Sequence, residues 1–246
     1  MKINGSVALV TGANRGIGLT FAEELLKRGA AKVYVAARDT ASLSALLKGN
    51  DGRLVAIALD VTDEAQVAQA AAALKDVNLL INNAGFAGGR SAYTTFDMAT
   101  ARKEMDVNYF GVLSMTHAFA PALKANGGGT IINVLSFLSL VALPAAATYS
   151  ASKAAALSAT RSLRAELASQ KTAVIGVMPV QVETDMGRNL PPPRLSTMDV
   201  VGDALDAVES GVTDVFPGDI TRNTAKAFAA DPKAVQAHMD QFLPAP

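Results

Sequence analysis

The chain has 246 residues, half of them hydrophobic, with 22 basic residues balanced by 22 acidic ones and no cysteine at all. That length suits one large α/β domain over residues 1–246, with a core big enough to need no staples, and the missing cysteine excludes disulfides and thiolate metal sites. Balanced charge argues against a nucleic-acid or anionic-membrane surface, and no apolar stretch reaches the roughly 18 residues of a membrane span. The opening Met1-Lys2-Ile3-Asn4 carries no signal-peptide pattern, so the expectation is a cytoplasmic protein acting on a small molecule.

In chain order, Val7–Val10 is the first strand candidate, and it runs into Thr11-Gly12-Ala13-Asn14-Arg15-Gly16-Ile17-Gly18. Ile17, Phe21 and Leu25 then recur every four residues, and Gly29 follows as a helix stop. A strand, a glycine-rich turn and a helix N-terminus together set backbone N–H groups against a pyrophosphate. Gly12, Asn14, Arg15, Gly16, Ile17 and Gly18 are therefore candidate cofactor contacts. The glycine cluster alone also fits an ordinary βα turn; its place at the first βα junction points to a dinucleotide. Lys32–Ala36, the second strand, ends in Ala36-Ala37-Arg38-Asp39, where an acidic residue would select NAD by binding the ribose 2′-OH. Arg38 can instead pair with a 2′-phosphate, and Arg15 can reach the same group, so NADP(H) is the predicted cofactor. Asp39 argues the other way unless it caps the next helix, and a merely solvated Arg38 is the plain alternative.

Leu54–Ala58, Leu79–Ile81, Thr130–Val134, Ala173–Met178 and Thr213–Phe216 are the later strand candidates, mostly apolar throughout, as parallel strands covered on both faces are. Asp63–Leu74, a run near Asp97–Ala125 and Ser150–Ser169 have helical patterning. This β-α-β order predicts a doubly wound parallel sheet of the Rossmann kind, in three α/β/α layers. Pro191-Pro192-Pro193 marks either a surface connection or a loop over a pocket. His117 and His238 stand without partners at metal spacing and receive no role; no metal site is expected.

Tyr149 and Lys153, four apart, share one helix face. A lysine ammonium favours the phenolate and would lower the tyrosine pKa from its usual value near 10, suiting Tyr149 to acid–base work. Ser136, just past the fifth strand, can donate a hydrogen bond to a substrate oxygen. A lone Tyr-x-x-x-Lys is also what an ordinary amphipathic helix shows.

Taken with Asp60-Val61, Asn82-Asn83-Ala84-Gly85, Asn108 and Thr184, these motifs resemble the short-chain dehydrogenase/reductase family in its single-domain form, over residues 7 to about 186. The resemblance implies that Asp60 and Val61 contact adenine and that Asn83, Ala84 and Gly85 close the cofactor floor. It further implies that Lys153 holds the nicotinamide ribose, that Asn108 kinks its helix and binds a water that relays protons to Lys153, and that Thr184, with the Val182 backbone, anchors the carboxamide, with Pro179 a further cofactor contact. Ser136, Tyr149, Lys153 and Asn108 would be the catalytic set of an NADP(H)-dependent carbonyl reductase or alcohol dehydrogenase. The alanine-rich face Ala151, Ala154, Ala155, Ala156 and Ala159 would pack on the sheet or join subunits of a homodimer or homotetramer. Three departures stand out: Val180 where the family has glycine, Leu135 for a serine, and Ser139 for a glycine. With Phe86, Leu138, Leu143 and Met186 they suggest an altered, apolar pocket, and Val180 either narrows it or turns into the core. A reductase of carrier-bound acyl chains, docking on Arg102, Lys103, Arg161 and Arg164, and a non-catalytic NADPH sensor are the competing readings.

Overall fold

The computed structural model describes residues 1–48 and 51–244. Seven of the apolar runs pair side by side, each feeding a helix that must cross back over the sheet. The strands are β1 (Val7–Thr11), β2 (Lys32–Ala37), β3 (Leu54–Ala58), β4 (Leu79–Asn82), β5 (Gly129–Val134), β6 (Thr172–Val177) and β7 (Asp214–Val215). All pair in parallel, in the order β3-β2-β1-β4-β5-β6-β7. The order reverses between β1 and β4, and the crevice above their C-terminal ends is where such sheets bind ligands.

Because strand side chains alternate, neighbouring residues serve opposite cores. Ala8 and Val10 join Phe21 and Leu25 of α1 (Gly16–Lys27) and Val200, Val201, Ala204 and Leu205 of α7 (Thr197–Ser210). Leu9 points the other way, to Val67 of α3 (Glu64–Ala73) and Met115, Phe119 and Leu123 of α5 (Gly111–Ala125). Each fully buried aliphatic or aromatic side chain stabilises the fold by about 1.5–3 kcal/mol, so both faces of the sheet contribute to holding it. The three-layer doubly wound fold is as expected.

Four details differ from expectation. The run near residues 97–125 is not one helix: α4 (Met98–Met105) passes through a π turn at Asp106–Phe110 before α5 begins. The helix α6 spans Ala147–Glu166, starting three residues early, which puts Tyr149 in its first turn. A short α2 (Ser44–Leu47) follows β2. Beyond β6 come α7, closed at its start by a Ser196–Asp199 capping box, and then α8 (Gly218–Ala230) and α9 (Pro232–Met239). The Pro191–Pro193 stretch is a surface loop whose neighbour Arg194 folds back to donate to the carbonyls of Gly187, Arg188 and Leu190.

Candidate active site

The glycine turn is built around two contacts that leave no room for a side chain. Gly12 has φ +64° and its α-carbon side abuts Ala84, while a Cβ on Gly18 would lie 2.2 Å from the Gly12 carbonyl oxygen. Only glycine meets both demands. Thr11 locks the turn to β4: its hydroxyl donates to the Ile81 carbonyl and accepts from the Asn83 and Ala84 amides. Asn83 completes the lock by donating to the Thr11 and Gly12 carbonyls at 2.9 and 3.1 Å. The α1 N-terminus above it has no side-chain cap and no acidic residue in its first turn. Its free N–H groups and dipole are thus left for an anion. Across the cleft Thr184 stands 3.2 Å from where a Gly16 Cβ would be.

Two arginines flank this turn. Arg15 donates to Asp185 at 2.8 Å, an exposed ion pair that links the turn to the segment after β6. Arg38 is exposed at the end of β2 and has no hydrogen bond or ion pair among the described residues. Asp39 accepts from the Ala41 amide at 2.9 Å and caps the turn that follows. Asp60 accepts from the Thr62 amide and hydroxyl, and Val61 is buried against Gly111. Of the candidates after β6, the Pro179 carbonyl accepts from the Phe137 amide, and Val182 is buried and bridged to Leu195. These residues fit a phosphorylated dinucleotide: a cradle a Cβ would fill, an open helix end and an unpaired arginine.

Deeper in the crevice the polar residues converge. A Cβ on Gly85 would lie 3.5 Å from Asn108 Oδ1 and 3.8 Å from Lys153 Nζ. Lys153 is buried, donates to the Val134 carbonyl at 2.9 Å, and sits 5.8 Å from the centre of the Tyr149 ring. Burial pushes its pKa down to about 8. The Tyr149 hydroxyl is pushed up to about 12, chiefly by desolvation, against which the Ser136 hydrogen bond pulls down and the Glu104 charge pushes further up. With Lys153 in this arrangement the phenol is raised, not lowered as the Tyr-x-x-x-Lys spacing led us to expect. The lysine ammonium is turned to a carbonyl instead. Ser136 also caps the turn at Phe137–Ser139 through the Leu138 amide.

The π turn aims Asn108 inward, in keeping with the expected kink. Its side chain accepts from the Phe86 amide and donates to the Phe86 carbonyl and the Ser152 hydroxyl. Both ends of the amide bind protein groups, so the side chain braces Phe86 against Ser152. Phe86, Leu138 and Leu143 are half-buried around the centre, and Met186 is exposed. Val180 is half-buried and packs against the core beside β6. Arg164 is spent on the Val174 and Thr213 carbonyls and on Asp214, which Arg161 also approaches, while Lys103 covers the Phe86 ring. That leaves little of the imagined carrier-docking patch.

Sequence reasoning missed three contributions. Thr11 was quoted in the motif without its locking role. Asn133, wholly buried in β5, donates to Thr160 of α6 and accepts from Asn82, both at 2.9 Å, tying the catalytic helix to the sheet. Gln236 of α9 exchanges two hydrogen bonds with the Ala142 backbone, so the C-terminal helices wall the crevice in front of α6. A polar residue interrupting an apolar strand was the only available signal for Asn133; nothing local flagged Gln236.

The short chain dehydrogenase family model matches residues 6–194. Among solved structures, a short chain dehydrogenase from Burkholderia cenocepacia in complex with NADP is 47% identical, with a TM-score of 0.91 over 97% of this chain and 99% of that one. Galactitol 2-dehydrogenase (L-tagatose-forming) of Cereibacter sphaeroides is 36% identical, covering 75% of this chain and 74% of its own. The 3-oxoacyl-acyl-carrier-protein reductase of Vibrio cholerae is 33% identical, over 77% and 79%.

Proposed function

The chain belongs to the short-chain dehydrogenase/reductase family, oxidoreductases of CH–OH and C=O groups, and from that premise we propose that it uses NADP(H) and a small, fairly apolar ketone, aldehyde or secondary alcohol. The observation that carries this reading is the convergence of Ser136, Tyr149 and Lys153 beside Gly85, at the end of the strand next to the glycine turn. When bound, the nicotinamide supplies or accepts the hydride. Ser136 orients the substrate oxygen by donating a hydrogen bond, and Tyr149 gives that oxygen a proton in reduction or takes one in oxidation. Lys153 holds the nicotinamide ribose and, once its charge is no longer turned to Val134, favours the phenolate. Asn108 keeps Phe86 and Ser152 in register.

In the cleft, Gly12, Asn14, Gly16, Ile17 and Gly18 take the pyrophosphate, and Arg38 takes the 2′-phosphate. Arg15 joins it on leaving Asp185. Asp60 and Val61 border the adenine, Asn83, Ala84 and Gly85 form the floor, and Val182 and Thr184 meet the carboxamide, with Pro179 a further contact. One domain over residues 1–246 serves both binding and chemistry, and the working form is a homodimer or homotetramer in the cytoplasm. The NADP complex of the Burkholderia relative supports the cofactor, and the half-buried Phe86, Leu138 and Leu143 support an apolar substrate.

Tyr149→Phe tests the centre. It removes one hydroxyl and should cost about a hundredfold or more in turnover while NADPH binding, read by its fluorescence, is kept. Turnover of the best ketone within about tenfold of the parent would show that another group supplies the proton.

A further inference from the structure

Glu104, on α4, is completely buried, a place where a carboxyl is rarely found unless its oxygens are satisfied. Only one is. Oε1 accepts from the Gly88 amide at 2.8 Å, and Oε2 has no partner among the described residues. The Phe86–Gly88 segment is gripped at two points, since Asn108, one turn further on, holds both polar groups of Phe86. It lies close on α4: a Cβ on Gly88 would meet Thr100 at 2.1 Å. Asn108 also reaches Ser152, whose hydroxyl donates to the Tyr149 carbonyl at 2.7 Å. The helix carrying Glu104 is thereby fixed against the turn carrying Tyr149.

The charges that bear on the phenol are few. Lys153 comes from its own helix, β5 and β6 bring none, Arg102 and Asp106 are turned to solvent, and the exposed Lys103 lies over the Phe86 ring. Glu104 is the buried acid on the elements packed against α6, and its charge raises the proton affinity of Tyr149. We propose that Glu104 is a positioning residue for proton transfer: its half-bonded carboxyl fixes the Phe86–Gly88 segment against the helix that Asn108 and Ser152 tie to the turn carrying Tyr149. The inference rests on Tyr149 being the proton donor.

The test compares the parent with Glu104→Gln, which keeps an acceptor for the Gly88 amide and removes the charge. The pH profile of alcohol oxidation with NADP⁺ is measured, together with the ultraviolet absorbance of the ionised phenol in the cofactor-free protein, using Tyr149→Phe to identify the Tyr149 signal. Both should move to lower pH by about half a unit or more, a roughly threefold gain in oxidation on the rising limb. Glu104→Met, which also releases Gly88, should show the same shift with a raised KM. Unmoved limbs in the variant that folds, or failure of both variants to fold, would leave Glu104 a structural residue only. If Tyr149→Phe keeps turnover, the acid assignment itself falls; if that variant is dead and the Glu104 limb is unmoved, only the present inference falls.

Discussion

Arg38 and Lys153 carry the residue-scale consequences. Arg38 is free while Asp39 is spent on a cap, so Arg38→Ala should weaken NADPH by about ten- to hundredfold and leave NADH within a few-fold. Calorimetric titration of both cofactors checks it; equal losses would make Arg38 structural. Lys153 is a base whose folded pKa, about 8, lies below its ordinary 10.5. Between those values the unfolded chain binds the extra proton, so the burial cost is fully present at neutral pH and is relieved as pH rises from about 8 toward 10. Lys153→Met should therefore stabilise the cofactor-free protein at pH 7 by at most ~3 kcal/mol, with the gain fading by pH 10. Urea unfolding at several pH values reads it, and a pH-independent difference would contradict the burial argument. Both residues were legible in the sequence, because each sits at a fixed offset from a strand end or a tyrosine. The Lys153 partner was not: which carbonyl a buried ammonium meets depends on Val134, nineteen residues away.

At the scale of elements, strands were the easiest to read and helix irregularities the hardest. Apolar runs such as Leu79–Ile81 announce themselves by composition, and their observed bounds differ from expectation by a residue or two. The π turn at Asp106–Phe110 leaves no compositional mark; it is chosen by where Asn108 must point, a tertiary demand. The bracing between β5 and α6 is of the same kind. Asn133 spends its whole side chain on Asn82 and Thr160, so Asn133→Val removes two buried bonds and leaves Asn82 only its long contact to Thr116 and Thr160 only the Ala156 carbonyl. The cost should be about 2–4 kcal/mol, read by denaturant midpoint. Because α6 carries Tyr149 and Lys153, the same variant should lose turnover at temperatures where it remains folded. Wild-type stability in that variant would mean that water replaces the bonds.

At the scale of the whole molecule, the outer side of α6 is a face that its own chain leaves bare. On α6 the buried side, Ser152, Lys153, Ala156, Leu157 and Thr160, meets the sheet, while Ala151, Ala154 and Ser158 are exposed. The alanine face read from the sequence is thus divided: Ala156 packs inward, Ala151 and Ala154 are exposed, and Ala155 and Ala159 border a groove with Tyr109 and Leu113. Phe110 stands half exposed at the end of the π turn. Small side chains let a second helix approach closely, and a twofold pairing would set α5 and α6 against their own copies. The proposed homodimer or homotetramer would use this face. Ala159→Arg places a charged side chain in the groove without touching the sheet, so light scattering should show a smaller assembly for that variant than for the parent. All the cofactor-cleft contacts described come from one chain, so NADPH affinity of the smaller species should stay within a few-fold. An unchanged mass in Ala159→Arg would put the interface elsewhere.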